Sequence, residues 1–295
     1  MHPAPSVIIF TSLSGLGFGL LAWIGLGYPT TIDMTGMGAF GIYFMAYALS
    51  VGGLLASTFH LANVKNAIYA LSQWETSWLS REGILAIVTL LVFAPMAIAQ
   101  IFLGSTAWNW IGPIGTALAL LTVFSTSMIY TQIKAIPRWN MPITPVLFLA
   151  YAVAGGALLS MQAKVAGILI LLLVALQWAG WLMGDGRFPG TGTTKGTATG
   201  LDRIGKVTTF ESAHTARNYI LDEMVHIVGR KHSQKLRMIS TILLGIVPVL
   251  MLLLLPASMP VAILALVSHV VGLFASRWLF FAEAEHVVGT YYARG

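Results

Sequence analysis

Long apolar stretches alternate along this chain with polar connections. Eight apolar runs, each about 20 residues and so long enough to cross a hydrocarbon core as a helix, fall at 6–26, 37–58, 83–103, 111–130, 144–161, 165–183, 238–255 and 261–281. Backbone groups in lipid must bond one another, and runs of this length exclude a closed barrel. The pattern therefore predicts an all-α, polytopic membrane bundle of eight transmembrane helices, with residues 1–295 forming a single integral-membrane domain. The fifth and sixth runs are parted only by Gln162, Ala163 and Lys164. The first reads as a retained helix, since only the terminal charge precedes it and more membrane segments follow at once.

Two polar connections have a pattern of their own. In 59–82, Leu61, Val64, Ile68, Leu71, Trp74 and Trp78 recur at intervals of three and four, which predicts an amphipathic helix lying at the interface, where Trp is favoured. The long connection 184–237 begins with "GDGRFPGTGTTKGTATG", an irregular loop by composition. Lys195 there lacks the Gly-x-x-x-x-Gly spacing of a phosphate-binding loop. Its second half places Ile220, Met224, Ile227 and Val228 on one helical stripe, with Thr215 as N-cap and Arg230, Lys231, Lys235 and Arg237 as a basic cluster. Such a helix lies on the membrane surface, packs against a docked soluble protein, or simply leads, solvated, into the seventh run.

Composition sharpens the class. With 57% hydrophobic and 9% charged residues, a water-soluble surface cannot be built. Fifteen of the sixteen Lys and Arg residues fall on the side shared by the two termini and the even-numbered loops, and only Lys164 falls on the other. That bias predicts cytoplasmic termini and a multi-pass protein of the inner membrane. It also explains the net charge of +6 through contact with anionic membrane lipid, and no soluble domain is present to bind nucleic acid. Cysteine is absent, which excludes disulfides, thiolate-bound zinc and iron–sulfur clusters held by this chain.

The chemistry gathers where the second run ends at His60 and the third begins at Glu82. Flanking one connection, both sit at one membrane depth, where an ionisable residue marks a functional site unless it is paired or snorkels. Taken singly, Glu82 is also a carboxylate at a helix N-terminus and His60 a satisfied interfacial histidine. Together they suit a quinone, whose oxygens need hydrogen-bond donors and whose two-electron interconversion with quinol moves two protons. His60 donates to or accepts from such an oxygen, Glu82 relays the proton, and Arg81 and Trp78 stand beside them. Trp74 and the mid-membrane His269 are secondary candidates. No metal is expected in this chain. Haem b would need two histidines facing each other, and His60, His269 and His286 lie at different depths.

Elsewhere, Arg277 reads as a snorkelling anchor that pairs with Glu283 or touches a docked subunit. Gly15, Gly17 and Gly19 allow close helix contact or leave room for a quinone ring. A secondary transporter is the rival class, but no internal repeat is evident and the ionisable residues cluster at one face rather than the midplane. A third possibility is a purely structural anchor.

The stretches "MHPAPSVIIFTSLSGLGFGLL", "FHLANVKNAIYALSQWETSWLSREG", "MIYTQIKAIPRW" and "RWLFFAEAEHVV" resemble the membrane-anchor subunit of dimethyl-sulfoxide-reductase-type molybdopterin oxidoreductases, from the first helix to the last. "SWLSREG" is the most specific piece. The resemblance implies an eight-helix subunit that holds a molybdopterin catalytic subunit and an iron–sulfur subunit to the cytoplasmic face and passes electrons between ubiquinone or menaquinone and the nearest cluster. The family's quinol-site histidine and glutamate match His60 and Glu82. After the histidine, family members carry Leu-Gly and a nearby proline, whereas here Leu61, Ala62, Asn63, Val64 and Lys65 follow, so helix should begin sooner. The long connection is similar to that of the membrane subunit of cytoplasmic sulfite dehydrogenases, which implies sulfite oxidation feeding quinone. The alternative branch oxidises quinol to reduce sulfoxides.

Overall fold

With no water to bond in hydrocarbon, the apolar runs satisfy their backbone as helices. The computed structural model describes residues 1–58, 64–208, 210–211, 224 and 231–292, with backbone alone at 64–68 and 292, and no strand occurs among the described residues. The main helices are α1 (Pro5–Gly25), α2 (Gly36–Thr58), α3 (Trp78–Leu103), α4 (Gly112–Thr131), α5 (Ile143–Leu159), α6 (Ala163–Asp185), α7 (Ser233–Leu254) and α8 (Met259–Ala282).

Against the eight spans expected, seven described helices are long and apolar enough to cross a membrane. The exception is α5, whose 17 residues extend about 26 Å at the helical rise, a little short of the roughly 30 Å hydrocarbon core. It stops because Met161 takes a left-handed φ of 59°. The fifth and sixth runs are divided as expected but earlier, at residues 160–162, and Ala163 and Lys164 of the expected break already belong to α6.

Helix α1 is the axle of the bundle. It packs against α2, α4, α5 and α8, and 72% of its apolar window is buried against 28% for α8. Small residues make this possible. A Cβ at Gly17 would collide with the Ser50 backbone of α2, and one at Gly19 with Ala152 of α5. Gly15 faces open space, so the close-contact expectation holds for two of the three glycines. Around this axle, α2, α3 and α4 form one flank, and α6, α7 and α8 form the other, joined through α5.

Within α7, residues Thr241–Ile246 wind as a π-helix. The cause lies just beyond them. Pro248 has no N–H to give, so the carbonyls of Leu244 and Leu243, four and five residues earlier, lose the donor that an α or π pattern would supply. Both are recovered from α8: Ser268 Oγ donates to Leu243 O at 2.7 Å and His269 Nδ1 bonds Leu244 O at 2.8 Å.

Both described ends of the chain meet at one end of the bundle, where the Met1 ammonium donates to Ala284 O at 2.6 Å. The same end collects the start of α3, the 132–142 connection, the end of α6 and the start of α7. Trp139 Nε1 donates to Phe280 O at 2.9 Å, and Val287 N to Ala135 O at 2.9 Å. We call this the polar end.

Candidate functional site

The connection entering α3 is helical, but as a 3₁₀-helix over Val64–Gln73 rather than the expected α-helix. The α-helix begins only after Ser77 caps it by accepting from Ser80 N. It starts at Trp78, five residues before the apolar run at 83, because the cap and not the hydropathy sets its origin. Glu82 is therefore the fifth helical residue, past the first turn in which a macrodipole favours a carboxylate. The N-terminal reading of Glu82 thus fails.

What surrounds Glu82 is the interior of the bundle. The residue is 3% exposed, and Thr126 Oγ1 of α4 donates to its Oε1 at 2.5 Å. One level deeper, Thr89 and Thr122 hydroxyls pair at 3.1 Å, so a polar seam runs between antiparallel α3 and α4. No cation pairs with Glu82 among the described residues. Thr126 did not stand out in the sequence, although the spacing of Thr122 and Thr126 by one turn on an apolar helix is a usable signal.

The neighbouring candidates form a rim rather than a second wall. Arg81 Nε donates to Trp74 O at 2.8 Å and its NH2 group to Glu75 O at 2.5 Å, while the guanidinium lies 4.5 Å over the Trp78 ring. Trp78 meets Phe124 of α4 edge-on at 5.9 Å. Ser80 Oγ ties the helix to Leu71 O at 2.8 Å. Trp74 is 56% exposed. Arg81, Trp74 and Trp78 thus brace the connection above Glu82, and Arg81 is turned away from that carboxyl. His60 and its pairing with Glu82 lie outside the described residues, as do Leu61 and the stripe through Thr215, Ile220, Ile227 and Val228.

On the opposite flank the polar end is tied by a four-membered ion cluster. Arg138 bonds Asp185 at 2.9 Å and Glu283 at 2.7 Å, and Arg237 bonds the same acids at 2.6 Å and 2.7 Å. These residues come from four separate segments, which locks α6, α7, α8 and the 132–142 connection together. Both Glu283 oxygens are engaged there, so the expected Arg277–Glu283 pair does not form.

Arg277 does not snorkel either. It is 3% exposed, with its guanidinium 4.0 Å from the Phe148 ring centre and 4.5 Å from that of Tyr151, and its Nε has no hydrogen-bond partner among the described residues. Aromatic side chains from α5 enclose it because they are nearer than water. Tyr130, itself buried among Trp139, Phe148, Phe280 and Phe281, stands within electrostatic reach of both Glu82 and Arg277.

His269 is fully buried and bonded to Leu244 O, which fixes the Nδ1 proton and leaves Nε2 without a partner among the described residues. Its described role is helix pairing. At the polar end His286 Nδ1 accepts from Val288 N at 3.0 Å, and partial burial, with the N-terminal ammonium nearby, holds this imidazole below its usual pKa. Among the described residues no three His, Cys, Asp or Glu side chains converge as a metal site.

Comparison with known proteins supplies the context. The family model described as "DMSO reductase anchor subunit (DmsC)" matches residues 1–282. One of the subunits of the sulfite dehydrogenase of Allochromatium vinosum is 32% identical, with 99% of each chain covered. No solved structure matches.

Proposed function

From the premise that this chain belongs to the DMSO reductase anchor subunit (DmsC) family, and so is a membrane anchor subunit of a multi-subunit oxidoreductase complex, we propose that it exchanges electrons between a membrane quinone and an iron–sulfur partner. In this reading α5 completes eight spans, the polar end faces the cytoplasm of an inner-membrane protein, and the iron–sulfur and molybdopterin subunits dock on that end. Its basic residues, set where anionic lipid heads meet water, favour that orientation.

The observation that carries the proposal is Glu82. A carboxyl buried beside α4, bonded to one hydroxyl and to no cation among the described residues, is built to gain and lose a proton rather than to hold a charge partner. Quinone supplies the two-electron, two-proton chemistry. Glu82 stores and passes a proton at its carboxyl oxygens, and His60, one connection away, donates to or accepts from a quinone oxygen. Arg81, Trp74 and Trp78 hold the connection over the pair.

The sulfite dehydrogenase relative favours sulfite as the electron source, with quinone reduced. The family description favours the reverse flow, from quinol to a sulfoxide, as the second reading. Purified intact complex decides between them by whether sulfite reduces quinone or quinol reduces a sulfoxide. In the same complex, His60→Ala should assemble normally, keep dye-linked turnover and lose quinone-linked turnover. Normal quinone-linked turnover in the assembled variant would overturn the site.

A further inference from the structure

A second buried ionisable group plays no part in this function. The cleft between α5, α6 and α8 is lined by Phe148, Tyr151, Gln177, Trp181, Ser276 and Arg277 and encloses about 50 Å³, several times the space one water requires. Arg138 and Glu283 also border it, so it sits directly beneath the ion cluster at the polar end.

Among the described residues the charges there do not balance. Three guanidinium groups, Arg138, Arg237 and Arg277, share two carboxylates, Asp185 and Glu283, and both acids are fully engaged by Arg138 and Arg237. Among the described residues Arg277 therefore has no acidic partner, and it lies 3% exposed against two aromatic rings. Ring faces attract a guanidinium but do not neutralise it. A buried, unpaired charge is costly, and the fork of a guanidinium matches the oxygens of phosphate or carboxylate. The other polar groups of the cleft are held in position: Tyr151 OH donates to Gln177 Oε1 at 2.7 Å and shares a hydrogen bond with Ser276, and Gln177 Nε2 donates to Ser240 Oγ at 3.2 Å.

We propose that this cleft binds an oxyanion of the phosphate class, with Arg277 as its charged ligand and Tyr151 and Phe148 fixing the guanidinium plane. At the polar end of a membrane bundle the anion comes either from the headgroup of an anionic phospholipid or from free phosphate in solution.

The test uses the full-length protein, delipidated in neutral detergent, with its thermal midpoint followed during titration by short-chain phosphatidylglycerol, short-chain phosphatidylcholine and inorganic phosphate. The expected result is a saturable rise with phosphatidylglycerol that exceeds the rise with phosphatidylcholine. A response to phosphatidylglycerol alone identifies the lipid headgroup, and a response to inorganic phosphate identifies the free ion. Arg277→Gln should weaken the response by about tenfold or more, as loss of a charge-assisted bidentate contact does. Arg277→Lys, which keeps the charge but not the fork, should fall between. The proposal is overturned if the parent shows no saturable stabilisation by any of the three, if both lipids act equally and inorganic phosphate has no effect, or if the folded Arg277 variants respond like the parent. Should Arg277→Gln fail to fold, the parent and Arg277→Lys titrations decide alone.

Discussion

Glu82 and Arg277 lie in opposite flanks of one bundle, near the same polar end, and both are 3% exposed, yet their surroundings differ in kind. Glu82 faces a hydroxyl seam between α3 and α4, whereas Arg277 is stacked on rings contributed by α5. A carboxyl in the first setting can take up a proton and become neutral at little cost. A guanidinium in the second cannot, because its proton is not released under ordinary conditions. At equal burial, the surroundings and the chemistry of the group therefore point to opposite functions: the acid is suited to proton traffic, and the base to holding an anion in place.

The sharpest way to break this contrast is Glu82→Gln. It preserves size and hydrogen bonding but removes the exchangeable proton, so quinone-linked turnover of the assembled complex should fall by about a hundredfold while dye-linked turnover persists. Equal losses in both assays would place the defect in assembly and not in proton handling. Next comes Glu283→Gln. Halving the acid count around Arg138 and Arg237, whose side chains are 15% and 12% exposed, should cost about 2–3 kcal/mol of stability, read by chemical unfolding in detergent. Thr126→Val then tests the seam itself, with quinone-linked turnover falling by roughly tenfold through loss of one hydrogen bond to the acid. The smallest effect is expected for Asp185→Asn, since that acid's side chain is 47% exposed and such pairs contribute at most about 1 kcal/mol. A drop matching that of Glu283→Gln would erase the distinction between the buried and the exposed acid.

Much of the bundle was legible because hydrocarbon imposes one rule on every backbone group. Seven of the eight runs reappear as helices of membrane-crossing length, and a break between the fifth and sixth runs was visible, although it falls at residues 160–162 and not at Gln162, Ala163 and Lys164. Hydropathy could not locate the start of α3, because Ser77 sets it through a hydrogen bond that an apolar average does not register. Nor could local periodicity tell a 3₁₀ from an α connection over Val64–Gln73, as both repeat at about three residues.

The candidate site was legible in part. Glu82 stood out as an acid beside an apolar run. Its partner Thr126 is 44 positions away, one of several hydroxyls on α4. Arg277 was misread because an arginine near a helix end ordinarily reaches water, and only the tertiary placement of Phe148 and Tyr151 prevents it. The ion cluster spans separations from 46 to 145 residues, beyond any local pattern.

The proline in α7 has one more implication. Pro248 and His269 form a single device, in which a missing amide on one helix is what gives an imidazole on the next its only described bond. Replacing that proline by alanine would mend the backbone locally and let Leu244 find a donor in its own helix. The restored amide would then compete with the imidazole for that carbonyl, whose two lone pairs can take both, so the irregular turn leaves Leu244 O to the neighbouring helix.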